Sequence, residues 1–101
     1  MANITNYHIL IYGTKDGYSN SRAQIALYNG TAVVGYIRFK DDGMTYPADS
    51  ESSGIIYMHV PSSQFANVLD ILRNENPLNI YFASSHAFFG TAGKEAVGEG
   101  E

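Results

Sequence analysis

Hydrophobic positions recur every second residue through most of this chain, and in one stretch every three to four. YHILIY (7–12) is β-branched and aromatic and runs into the polar cluster TKDGYSNS, which predicts a strand and then a loop. RAQIALY (22–28) alternates strictly, with Ala23, Ile25 and Leu27 on one face and Arg22, Gln24 and Tyr28 on the other. Asn29-Gly30 suits the positive φ angles of a two-residue turn, so the run AVVGYIRFK (32–40) closes an antiparallel hairpin. Gly35 inside that run predicts a bulge or a close backbone approach. DDGMTYPADSESS (41–53) is the longest irregular stretch, expected to be a mobile connector, and GIIYMHV (54–60) is the fourth strand.

In PSSQFANVLDILRNENP the period changes: Phe65, Val68, Leu69 and Leu72 fall at i, i+3, i+4 and i+7, which predicts a helix over about 62–75. Ser62 or Ser63 is placed to cap its start, and Pro77 stops it. LNIYFA (78–83) and HAFFGTA (86–92) supply two further strands around a tight Ser84-Ser85 turn. The element order is ββββαββ, and the short links suggest a right-handed crossover between the fourth and fifth strands. The fold class expected is α+β: a mainly antiparallel five- or six-stranded sheet with one face covered by the single helix. Residues 1–91 form one domain, and 92–101 form an acidic Gly/Glu-rich tail expected to be flexible.

Strand parity then sorts the side chains. If the helix covers Ile9, Ile11, Ile25, Leu27, Ile37, Phe39, Ile56, Met58, Ile80 and Phe82, the opposite face is fixed by the same alternation. It carries His8, Leu10, Tyr12, Arg22, Gln24, Tyr28, Val34, Tyr36, Arg38, Lys40, Tyr57, His59, Asn79 and Tyr81. Five of the eight tyrosines and three of the six basic residues lie there, with no acid among them. Tyr and Arg are enriched at interfaces, whereas a plain solvent face would carry more Lys and Glu. The candidate binding or interface residues are therefore Tyr12, Tyr28, Tyr36, Arg38, Tyr57, His59, Tyr81, Arg22 and His8. They would serve a non-enzymatic binding or self-association module that pairs with a second copy through this face, or receives a protein or small molecule there.

Composition narrows the alternatives. At 101 residues, 45 % hydrophobic and 16 % charged, the chain has the make-up of one globular domain that buries roughly 65 % of its unfolded surface. Its net charge of −4, with only six Lys and Arg, counts against binding a phosphate backbone without regard to sequence. Aromatics interleaved with Arg on an open sheet nevertheless suit stacked single-stranded bases, so a single-stranded nucleic-acid-binding module ranks second. Four strands followed by a helix, over residues 7–75, is similar in element order to the Whirly and Pur-alpha type of single-stranded-DNA-binding module, and the resemblance implies a site on the sheet face or edge.

A small enzyme using His8 or His59 with the 41–53 loop ranks third: the two histidines share the predicted face and could meet across strands. Both are expected to titrate within about one unit of ~6.5. Ser84, Ser85 and His86 are neighbours on a turn rather than a triad, GTKDG lacks the ending of a phosphate loop, and the acids of 41–53 lack calcium-loop spacing. No metal or cofactor is expected. The chain has no cysteine, and its N-terminal apolar run is far shorter than a membrane span of ~20 residues, which reads as a cytoplasmic protein.

Overall fold

The computed structural model describes residues 2–94 of the chain. Most of the Gly/Glu-rich tail, 95–101, lies outside the described residues, as does Met1. The fold is α+β and mostly antiparallel. In chain order it runs β1 (Ala2–Ile4), β2 (Asn6–Ile11), β3 (Ala23–Asn29), β4 (Ala32–Lys40), β5 (Ser50–Ser52), β6 (Ile55–Pro61), a 3-10 turn (Ser62–Gln64), α1 (Phe65–Asn74), β7 (Leu78–Ala83) and β8 (His86–Thr91).

These strands form two sheets rather than one: β2-β3-β4-β6-β5 and β1-β7-β8. The reason is area. A ten-residue helix is about 15 Å long, whereas five paired strands span roughly 20 Å or more across the ladder, so α1 alone leaves much of the aliphatic face bare. The small sheet covers the remainder. Ile4, Leu78, Ile80 and Ala87 from the small sheet join Val68 and Leu72 of α1 over Ala23, Ile25, Leu27, Ile37, Phe39 and Ile56 of the large one. Phe65 meets Phe39 edge-on at 5.0 Å. Phe39, Ile25, Leu27, Ile37 and Ile80 are fully buried, each contributing about 1.5–3 kcal/mol. Ile80 and Phe82 thus belong to the covering layer, not to the covered one.

The expected crossover between the fourth and fifth strands is absent, because LNIYFA leaves for the small sheet. Among the described residues the one parallel pair is instead β4 with β6, with Arg38 opposite His59. Two strands were not visible in the pattern, β1 and β5, each three residues long. β5 is the last part of the 41–53 loop, folded back on β6 through a Ser53-Gly54 turn. The β3–β4 hairpin forms as expected, but its turn is Gly30-Thr31, since Asn29 pairs with Ala32. Gly30 takes the positive φ, +65°, at the first central position. A bulge then shifts the register by one more residue: Tyr28 lies opposite Val33 and Leu27 opposite Gly35, so Val34 is the extra residue. Val34 consequently packs against the core rather than on the second face. Gly35 is also a close approach, where a Cβ would stand 3.1 Å from both the Ile56 carbonyl oxygen and Ile80 Cδ1.

Neither serine caps the helix: no side-chain bond is made at either N-cap, Pro61 or Gln64. The layers are joined at two corners. At Thr5 the chain passes from one sheet to the other, its N–H donating to Tyr28 O (2.8 Å) while its Oγ1 accepts from Gly30 N–H (2.7 Å). At the far side Asp49 accepts from the His59 N–H of β6 (2.9 Å) and the Ala87 N–H of β8 (3.1 Å). No helix among the described residues is long and apolar enough to cross a membrane.

Candidate functional site

The face of the large sheet turned away from the core is laid out by register. One row runs His59, Arg38, Gln24, Leu10 across β6, β4, β3 and β2, and the adjacent row runs Tyr57, Tyr36, Ala26, His8. Tyr36 and Tyr57 stack at 5.6 Å and 20°, as parallel in-register neighbours allow. The Arg38 guanidinium sits 5.4 Å from the first ring and 5.1 Å from the second, and Arg38 Nε donates to Gln24 Oε1 at 3.0 Å. Two rings and an amide therefore fix this cation, and no carboxylate among the described residues pairs with it.

One end of the face is walled. The 13–20 loop folds back through a Tyr18–Ser21 backbone bridge, with Ser19 and Asn20 at positive φ, and Asn20 Nδ2 donates to Thr45 O at 3.0 Å. The 41–53 loop is tied down as well, by that bond and by Asp49, so the expectation of a free connector fails. Its carbonyls and acids find backbone and side-chain partners that composition does not reveal. Between the loops lies a cavity of about 470 Å³, lined by Tyr12, Tyr18, Ser19, Asn20, Ser21, Gln24, Arg38, Lys40, Pro47 and His59.

Its electrostatics are one-sided. Lys40 is 4 % exposed, its Nζ donating to Asn20 O (2.6 Å) and Ser21 Oγ (3.0 Å). Burial, and then the charge of Arg38, lower its pKa below the ordinary 10.5. Like Arg38, it has no carboxylate partner among the described residues. The His59 ring is almost wholly buried, and its pKa is lowered from 6.5 first by burial and next by Lys40, with Asp49 opposing and Arg38 adding. The direction is that of a desolvated imidazole. Nδ1 stands 3.6 Å from Asp49 Oδ1, an electrostatic contact too long for a hydrogen bond, and it has no other partner among the described residues.

Of the residues expected to form the site, Tyr12, Arg38 and His59 meet in the cavity, with Tyr36 and Tyr57 directly behind Arg38. Tyr28 shares the face but sits at the far hairpin end, opposite Val33. His8 lies on the edge strand β2, with β3 and β4 between it and β6, so the two histidines do not meet. Tyr81 and Asn79 belong to the small sheet, where Tyr81 stacks on Phe88 at 5.0 Å. Arg22 is consumed structurally: it pairs with Asp41 at 2.7 Å and donates to the carbonyls of Tyr12, Thr14 and Lys15 at 2.6–2.7 Å, fixing the start of the loop. Strand parity placed Lys40 on this face without marking it as a site residue. It could not foresee Tyr18, Asn20, Ser21 and Pro47, which reach the cavity through loop conformation. Among the described residues no three His, Asp or Glu converge as metal ligands. No family model matches this chain, and neither does any curated protein or solved structure.

Proposed function

We propose that this chain is a non-enzymatic binding module that receives an anionic group, a carboxylate or a phosphate-like oxyanion, in the cavity at the Arg38 end of the second sheet face. The observation that carries the reading is the pair Arg38 and Lys40: two cations lining one concavity, neither paired with an acid among the described residues. Buried charges are ordinarily paired, and a cation left unpaired in a walled site is an invitation to a counter-charge. Arg38 is held before the ligand arrives, which lowers the ordering cost of binding. The tyrosines then act as a platform for the guanidinium, and a cytoplasmic setting belongs to the same proposal.

A concave, walled end favours a ligand or a protruding partner group over flat packing of two copies face to face. Catalysis by His59 lacks support, since both Asp49 oxygens accept backbone N–H groups and neither hydrogen-bonds the imidazole. The test is an amide-shift titration with sodium sulfate, sodium acetate and neutral acetamide. Saturable shifts are expected at Ser19–Ser21, Arg38 and His59 with one or both anions and none with acetamide. Shifts that do not saturate, or that acetamide reproduces, would refute it.

A further inference from the structure

The free edge of the large sheet is β2, and it lacks every device by which sheet edges are ordinarily protected. NYHILI contains no Lys, Arg, Asp, Glu, Pro or Gly, and it pairs with β3 over its whole length without a bulge. Its side chains are exposed on both faces, Tyr7 at 37 %, Leu10 at 44 % and Ile11 at 66 %. The other edges differ. β5 and β1 are three residues long, β5 carries Glu51, and β8 has its Ala87 N–H capped by Asp49.

The backbone of β2 also specifies what fits it. Tyr12 N–H donates to Arg22 O at 2.9 Å, and antiparallel pairing alternates, so Leu10, His8 and Asn6 turn their backbone groups toward β3. Tyr7, Ile9 and Ile11 therefore turn theirs toward the free edge. A second β2 running antiparallel about a two-fold axis at Ile9 would place Ile9 opposite Ile9 of the second copy, with Tyr7 opposite its Ile11. Those are the very residues with free N–H and C=O groups, each exchanging both. The same register sets Tyr7 against Ile11 and His8 against Leu10 across the seam, and no like charges are opposed.

We infer that the protein forms a two-fold dimer through β2, continuing the large sheet into ten strands. The axis stands perpendicular to the sheet, so both Arg38 cavities open on the same side. The contact is isologous and closed, which a generic extended peptide laid on this edge would not be.

Because the chain contains no cysteine, register can be read directly by single-cysteine variants. Ultracentrifugation at micromolar concentration should give twice the 11.0 kDa chain mass. Under mild oxidation Ile9→Cys should cross-link, since paired Cα atoms lie about 5.5 Å apart, whereas Ile11→Cys should not, being some four residues out of step. As a check that does not touch the partly buried Ile9, Tyr7→Lys with Ile11→Lys sets like charges opposite and should give a folded monomer. Tyr7→Glu with Ile11→Lys sets opposite charges there and should restore the dimer. A monomeric wild-type chain, equal cross-linking at both positions, or a dimer indifferent to the lysines would overturn the proposal.

Discussion

Arg38 and Arg22 occupy the same predicted face and do opposite things. Arg22 is spent on three carbonyls and Asp41, in a fork that Lys cannot reproduce, while Arg38 is positioned by rings and an amide and meets no carboxylate among the described residues. Period-two alternation reports which way a side chain leaves the strand, not what it finds there, so the two were indistinguishable in the sequence. The nearby titratable groups make this visible as pH dependence. Asp41 is held below the usual carboxylate value of 3.8 by hydrogen bonds from Ser62 and Arg22. Its contribution to stability is present above 3.8 and is lost as the pH falls through its lower folded value. His59 is held below 6.5, so it is neutral in the fold while the unfolded chain takes up a proton. Stability is then full above 6.5 and declines as the pH drops from there toward the folded pKa. His59→Gln should flatten the fall of the denaturation midpoint as the pH drops below 6.5 relative to wild type; an unchanged slope would count against a depressed histidine.

At the scale of elements, the turns and corners carry the conformational cost. Ser84 and Ser85 occupy the two central positions of the β7–β8 hairpin with φ of +52° and +64°, a left-handed geometry that serine adopts at a penalty. Ser85→Gly should therefore raise stability by about 1 kcal/mol in urea denaturation. Asp49 ties the two sheets through two otherwise unpaired N–H groups. Asp49→Ala should cost about 2–4 kcal/mol and release hydrogen exchange at His59 and Ala87, while Asp49→Asn should retain part of it. The long elements were legible. The β3–β4 hairpin, the amphipathic helix and the β7–β8 hairpin each follow from a run long enough to show its period. The three-residue strands β1 and β5 were not legible, since such a run has no measurable period and forms only because a neighbour offers a ladder. The division into two sheets was likewise hidden, because alternation in LNIYFA fits either layer equally well.

For the whole molecule, the net charge of −4 and the two cations, Arg38 and Lys40, that line one cavity predict local anion capture without a general affinity for polyanions. Generic single-stranded oligonucleotides should bind weakly at low salt and lose that binding steeply by ~150 mM; tight binding there would favour a stacking role for Tyr36 and Tyr57. A dimer through β2 would present two cavities on one side, and a ligand carrying two anionic groups would then gain from avidity. The candidate site was half legible at this scale: the sheet supplied Arg38, His59 and Tyr12 by parity, but the walls come from loops whose course depends on Arg22, Asn20 and Asp49 acting together. The most direct measurement is calorimetric titration of sulfate and acetate into the wild-type chain and into Arg38→Gln. Saturable binding of at least one anion is expected, weakened about 10- to 100-fold by loss of one charge-assisted contact, with the thermal midpoint of the variant little changed. Equal affinities in the two proteins, or no binding of either anion by the wild type, would contradict an anion site at Arg38.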